Sequence, residues 1–460
     1  MTKIDKSYTK FFVFSENQRF VYIKTIAIGE NYYIELLKKQ VNCSQIKTFE
    51  IPIYSHIEFS ITNGIIKSKV IFRRIVMNVR FIKPEEASDY LKVSAASFIW
   101  KFDKEIDNKV EMPVLGAFYN EKLIAGAEIY NYKCNYCGNI INTLVIDGIC
   151  SQPEYRRMGG VRALFDEVEK MAIENDLTLG FLSPFSISYY EKFGFANLNR
   201  TFSISVPFNN LSHIERNNDV ELYTGEQYEE LCELYNRCAL KENLMIIRED
   251  ERFFCEKPLE NADYTYIHRN NSGEADGYVR FTVNRPDELV AEELFTLTPD
   301  ALLGIIGFLR NYDGIVKALV VKKQYMGSPF SCLADRIDGA KYDCTGGIAA
   351  RIYNLKKLLE NNVYPEEYGK FSILSLDNSE HNKGIFEVEY KNGKATVTRR
   401  DSGDYDIALT PSAAARLLLA GEGHTAETAI FINGVELKTT AKDFFKAFPR
   451  RATRFTECTH

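Results

Sequence analysis

Residues 153–161 read PEYRRMGGV, between the apolar run INTLVIDGICSQ (141–152) and a segment with helical spacing. In residues 161–174, Val161, Leu164, Phe165, Val168, Met171 and Ala172 share one face, which predicts an amphipathic helix. A strand, a loop carrying two arginines and two glycines, and then a helix form a phosphate-binding arrangement. The first N–H groups of a helix lack intrahelical acceptors, and its dipole favours negative charge there. Gly159 and Gly160 let backbone approach an anion closely, and Arg156 and Arg157 add charge. Each helix-end interaction is worth roughly 0.3–1 kcal/mol, so a pyrophosphate needs several. The loop lacks the Gly-Lys-Ser/Thr ending of a P-loop and the three spaced glycines of the dinucleotide fingerprint. The plain alternative is a tight strand–helix turn with solvated arginines.

The flanking sequence predicts an α/β (α+β) chain. A helix is expected in 85–100, EEASDYLKVSAASFIW, and a strand pair around NEK in 113–134. LTLGFLS (177–183) is the strand after the amphipathic helix. In a second region, 225–240 is helical, 264–270 and 275–284 are strands, and a helix begins at Thr298-Pro299. In a third, GGIAARIYNLKKLLEN (346–361) leads to a hairpin in 384–400 turning at KNGK, then to a helix in 409–421 with Pro at its start and Gly at its end.

The chain's 460 residues exceed one hydrophobic core. Its net charge of −6 argues against nucleic acid as the main partner and suits cationic substrates. The charge is uneven. Residues 1–76 hold 12 Lys/Arg against 6 Asp/Glu, a net +6, which leaves 45 against 57, a net −12, for 77–460. That segment reads either as a small β-rich extension or as sequence upstream of a start at Met77, where MNVRFIKPEE opens a compact domain. No membrane span or secretion signal is read. Among the 10 cysteines only Cys134 and Cys137 have ligand spacing. A zinc site would need two further ligands, and the bland alternative is a strand–turn–strand. No metal is expected, and scattered cysteines fit a reducing cytoplasm.

Loop, helix, strand and the aromatic end YYEKFGF (189–195) together resemble the acyl-CoA-binding core of the GCN5-related N-acetyltransferases. There Arg-x-x-Gly-x-Gly/Ala holds the coenzyme A pyrophosphate, and Arg156, Met158, Gly159 and Val161 lie along that pattern with the glycines adjacent. PEYRRMGGVRALF, LSPFSISYYEKFGF and the distant GGIAARIYNLKKLL narrow the resemblance to the Eis (enhanced intracellular survival) family. It covers about 77–460. It implies a catalytic acetyltransferase domain at 77–214, a second, degenerate one at 215–342 and a sterol-carrier-protein-like domain at 343–460, with 1–76 outside it.

The resemblance also implies site residues. Acetyl-CoA would be the co-substrate, bound by Arg156, Arg157, Met158, Gly159, Gly160 and Val161, with backbone contacts to its pantetheine arm from Ile149 and Ser151. Tyr190, just before Phe193-Gly194, takes the place of the family's general acid, with a reference pKa of about 10. The terminal carboxylate, here of His460, takes that of the general base. The imidazole of His460, with a reference pKa near 6.5, is itself a proton acceptor. The aromatics of DFFKAFPRRATRF (443–455) suit a docked chain end. Trp100, Asp103 and Glu105, in SFIWKFDKE, fall where the family builds its amine pocket.

The expected function is N-acetyl transfer from acetyl-CoA to a primary amine of an aminoglycoside- or polyamine-like cation, or to a lysine. A closed homo-oligomer of the family's hexamer type is implied with it. The competing reading is a non-catalytic acyl-CoA- or lipid-binding protein on the same fold. The tyrosine, the loop arginines and the glycine pair favour catalysis, because a scaffold has no need of them together.

Overall fold

The computed structural model describes residues 77–101, 113–198, 201–249, 264–345 and 347–455, and five earlier strands by their backbone. Those five are β1 (Lys10–Phe14), β2 (Phe20–Ile28), β3 (Asn31–Leu37), β4 (His56–Thr62) and β5 (Ile65–Ile71). They form an antiparallel β1–β2–β3 sheet and an antiparallel β4–β5 pair.

From Met77 onward, alternating and fully apolar runs become three sheets. The first holds β6 (Asn78–Phe81), β7 (Val114–Tyr119), β8 (Lys122–Tyr136), β9 (Asn139–Ser151), β10 (Leu179–Leu182), β11 (Ala196–Asn197) and β19 (Ala349–Ile352). Its order is β11–β19–β10–β9–β8–β7–β6. The expected turn at NEK joins β7 to β8, with Asn120 and Glu121 left-handed. Cys134 lies in β8, and Cys137 with Gly138 makes the turn into β9, both with positive φ. Helix α1 (Ala87–Phe98) packs Tyr90, Leu91 and Val93 against Val114, Phe118, Leu123 and Cys150. Helix α2 (Gly160–Glu174) crosses from β9 to β10. Its buried face, Leu164, Phe165, Val168 and Ala172, meets Ile146, Leu182, Phe193 and Phe195.

Two departures from regular pairing shape this sheet. Strand β9 is parallel to β10 only at Thr143–Val145, so its end from Ile146 to Ser151 extends past the last β10 pair. The β8–β9 register steps from Glu128↔Asp147 to Gly126↔Cys150, placing Gly148 and Ile149 opposite Ala127 alone. This bulge needs Gly148. Its φ is +57°, and a Cβ there would collide with the Tyr90 hydroxyl and stand 2.7 Å from a Glu128 carboxylate oxygen.

The second sheet holds β12 (Thr201–Pro207), β13 (Val220–Leu222), β14 (Tyr264–Arg269), β15 (Ala275–Asn284), β16 (Glu288–Thr296), β17 (Ala318–Gln324) and β18 (Lys341–Thr345). Its order is β13–β14–β15–β16–β17–β12–β18. Helices α3 (Ile187–Tyr190) and α4 (Tyr228–Ala239) precede α5 (Pro299–Leu309), which joins the parallel pair β16 and β17 as α2 joins β9 and β10. The third sheet is β22–β21–β20–β23–β24, from β20 (Gly369–Ser375), β21 (Gly384–Lys391), β22 (Lys394–Arg400), β23 (Ile407–Leu409) and β24 (Val435–Leu437). The KNGK turn has Asn392 and Gly393 both at positive φ, as a tight hairpin requires. Remaining helices are α6 (Pro329–Ala334), α7 (Leu355–Glu360), α8 (Pro411–Leu419), α9 (Ala426–Ala429) and α10 (Lys442–Ala447).

Sheet membership does not follow chain order. Strand β12 belongs to the second sheet, and β19 inserts into the first between β10 and β11. The chain end returns as well. Arg454 N–H donates to Asn243 O at 3.0 Å, Asn243 N–H donates to Ala452 O at 2.7 Å, and Phe455 is buried in the core shared by the first and third sheets.

Candidate active site

The loop after β9 begins with a 3-10 turn, Pro153–Tyr155. Arg157 (φ +68°) and Gly159 (φ +95°) are then left-handed and turn the chain into α2. No side chain caps α2, and its first turn holds no acid. A Cβ on Gly159 would meet nothing within 4 Å, so the backbone faces open space there. Gly160 serves packing instead. A Cβ there would press on Ala125 Cβ at 3.1 Å, so its smallness lets α2 lie close on β8.

A cavity of about 770 Å³ opens at this helix start. Arg156, Arg157, Arg162 and Lys192 line it beside Gly159, Gly160 and Val161, and Ile124, Ala125, Ile149 and Tyr190 form its apolar part. Cations and free helix N–H groups at one end with an apolar slot along β9 fit a ligand that is anionic at one end and thin at the other. Met158 is half-buried in the loop and is not part of the lining. Ser151 lines the cavity, but its backbone is engaged by α1. Ser97 Oγ donates to Ser151 O at 3.1 Å and accepts from Ser151 N–H at 3.2 Å. Ile149, in the bulge, shares Ala127 with Gly148 and has no register partner of its own.

Tyr190 closes the short helix α3 and is 2% exposed. Its ring stands edge-on to Phe165 at 6.1 Å and to Tyr189 at 5.1 Å. The chain then turns at left-handed Gly194. Arg351 of β19 fixes this turn from outside, donating to Phe193 O and, at 2.9 Å, to Glu169 of α2. Burial pushes the Tyr190 phenol well above its ordinary range, and the neighbouring Tyr189 and Asp147 push it the same way. The group is therefore held protonated.

A second cavity, of about 420 Å³, lies along the same strand. Strand β9 lines the first cavity with Ile149, Cys150 and Ser151 and the second with Val145, Ile146, Asp147 and Gly148. The two therefore meet at the bulge, and Phe98 borders both. Phe455 and Trp100 also line the second cavity, with Trp100 38% exposed. Asp103, Glu105 and His460 lie outside the described residues.

Residues 78–197 match a family model described as an acetyltransferase (GNAT) domain, and residues 244–352 match a second of the same description. The chain carries two GNAT acetyltransferase domains. Its fold is similar to several solved structures. One is a conserved protein of unknown function, a probable N-acyltransferase, from Enterococcus faecalis, at TM-score 0.74 and 19% identity over 83% of this chain and 99% of that one. A GCN5-related N-acetyltransferase from Anabaena variabilis gives 0.70 and 18% over 83% and 99%. Eis1 from Mycobacterium abscessus gives 0.65 and 17% over 82% and 99%. No curated protein matches the chain. Among the described residues no helix is long and apolar enough to cross a membrane.

The two acetyltransferase domains differ where an anion would sit. Helix α5 has Pro299 in its first turn, Asp300 beside it, and a Thr298 cap whose Oγ1 accepts from Ala301 N–H at 3.1 Å. The cap occupies a free donor and the acid repels phosphate, whereas α2 leaves its start open.

Sequence reasoning missed several residues now seen at the site. Glu128 is a lone carboxylate in the apolar stretch LIAGAEI (123–129), and Asp147-Gly148 interrupts an apolar strand, a bulge signal that was present. Arg351 and Phe455 reach the site from distant parts of the chain: the aromatic run 443–455 suited a docked end and GGIAARIYNLKKLL a family motif, but nothing local placed either residue beside these cavities.

Proposed function

We propose that this acetyltransferase carries the acetyl group of acetyl-CoA to a primary amine of a cationic acceptor, with Tyr190 as general acid. The observation that carries the reading is the position of the Tyr190 phenol, buried on the helix-start cavity and under the influence of Asp147 from the adjoining one. Arg156, Arg157 and the N–H groups from Gly159 to Val161 bind the pyrophosphate. Ile149 meets the pantetheine arm, and the thioester reaches the bulge at Gly148. The acceptor amine enters from the second cavity and attacks the thioester carbonyl. A C–N bond forms, the C–S bond breaks, and the departing thiolate takes the Tyr190 proton. The amine proton passes to the terminal carboxylate of His460, brought near by the docking of Phe455.

This reading keeps the Eis-like division at 77–214, 215–342 and 343–460, and treats the last unit as a sterol-carrier-protein-like domain that delivers the chain end. It also keeps a closed homo-oligomer, which light scattering at micromolar concentration tests. For the function itself the experiment is thiol release from acetyl-CoA across an amine panel, with mass spectrometry of the acceptor. Amine-dependent release with N-acetylated product is expected. Release without an amine, or none with any amine, refutes the reading.

A further inference from the structure

The second cavity carries an inference about the acceptor that rests on the acetyl-transfer reading. Strand β8 is buried from Leu123 to Ile129, and Glu128 is its sole charged residue there. The carboxylate is 5% exposed and lines the cavity beneath the Gly148 bulge. Two tyrosines orient it. Tyr90 Oη of α1 donates to Oε1 at 2.7 Å, and Tyr130 Oη donates to Oε2 at 2.8 Å. Burying a carboxylate costs several kcal/mol unless it is compensated. Two hydroxyl donors hold it in one orientation, facing the point where the two cavities meet. The other carboxylate of the lining, Asp147, accepts from Gly148 N–H at 2.8 Å, so both acids crowd the bulge. Away from it the described walls are Phe98, Trp100, Phe181 and Phe455 with Val145, Ile146, Leu182 and Ile348 between them, and Ser94 and Ser183 are their two hydroxyls.

We propose that Glu128, oriented by Tyr90 and Tyr130, receives the acceptor's primary ammonium, which releases one proton to solvent before the neutral amine attacks, and that the aromatic walls take an apolar stem, so the preferred acceptor is an alkyl- or arylalkyl-monoamine. A polyhydroxylated amine would find only Ser94 and Ser183 as hydroxyl partners among the described walls and would set its other hydroxyls against apolar side chains with their hydrogen bonds unmade. A diamine of similar length would place its second cation there.

The test is steady-state kinetics of the full chain with 2-phenylethylamine, hexylamine, hexane-1,6-diamine and kanamycin. The two monoamines are expected to exceed the others in kcat/KM by about tenfold or more, the scale of one unmade buried polar contact. Glu128→Gln is expected to raise the amine KM by about tenfold or more, the scale of a lost hydrogen bond to a charged group. Its KM for acetyl-CoA should not move and kcat should stay within about threefold. Should Glu128→Gln fail to fold, Tyr130→Phe serves in its place, because losing one of two orienting donors must also raise the amine KM. An unchanged amine KM in the variant, or a diamine or kanamycin as the best acceptor, overturns this inference alone. No turnover with any amine sinks it together with the acetyl-transfer reading beneath it.

Discussion

The ring of Phe455 stands 4.6 Å from that of Phe181, centroid to centroid. One is five residues from the end of the sequence and the other lies in β10, the strand parallel to β9. This contact ties Phe455 to the second cavity, proposed above to take the acceptor, which both rings line. Deleting Glu457–His460 leaves the contact in place while removing the proposed base. Turnover should then fall by about 10²–10⁴-fold, the usual weight of a general base, with the thermal midpoint unchanged. Full activity in the shortened chain would remove His460 from the mechanism.

Asp147 should set the alkaline limit of activity through Tyr190. The phenol must be protonated to supply its proton, and it is held above its ordinary value of about 10 by burial, Tyr189 and Asp147. The alkaline limb of kcat therefore belongs above about pH 10. Asp147→Asn removes a negative charge, eases formation of the phenolate and moves that limb to lower pH. A kcat–pH profile of both proteins checks this, and a limb that stays or rises would contradict it.

The sequence exposed the parts of the site that local chemistry encodes. Arg156, Arg157 and the glycine pair lie between a strand and an amphipathic helix, so their place at a helix start followed from period and composition. Tyr190 followed from the family pattern ending in Phe-Gly-Phe. The insertion of β19 into the first sheet did not, because AARI (349–352) is buried throughout and such a run fits any sheet interior. Arg351 was hidden for the same reason. Its hydrogen bonds reach Phe193 and Glu169, far away in sequence. Glu128 acquires its meaning only with Tyr90, which folding brings to it from α1, beside Tyr130 two residues along the same strand.

Charge reversal at the helix start should separate coenzyme binding from chemistry. Arg157→Glu removes a donor and adds repulsion beside the uncapped start of α2. Acetyl-CoA affinity by calorimetry should weaken by about tenfold or more, the scale of one charge-assisted hydrogen bond. Unchanged affinity would move the pyrophosphate elsewhere.

Stability of the second sheet should depend on one buried ion pair. Arg248 Nη2 and Glu293 Oε1 are 2.7 Å apart, both side chains are almost fully buried, and Tyr278 Oη donates to Glu293 Oε2 at 2.7 Å. Burial pushes the carboxyl up, but the Arg248 charge and the hydrogen bonds from Arg248 and Tyr278 outweigh it and hold it well below the usual carboxylate range. A depressed folded value means that this stabilisation is complete above the unfolded carboxyl range, near 4.3, and is lost as pH falls through the lower folded value. Glu293→Gln strands the guanidinium and should cost about 3–5 kcal/mol at neutral pH. Urea unfolding of the two proteins measures it, and a difference under about 1 kcal/mol, the range of a surface pair, would contradict the claim.

The assignment of Tyr190 as the acid that releases coenzyme A is tested by Tyr190→Phe, with kcat and acetyl-CoA affinity measured on the same preparation. The ring contacts with Phe165 and Tyr189 need no hydroxyl, so packing and coenzyme binding should persist. The expected result is a kcat lowered by about 10²–10⁴-fold at unchanged affinity. A kcat within about threefold of the parent on the same acceptor, far below a general acid's share, would contradict it.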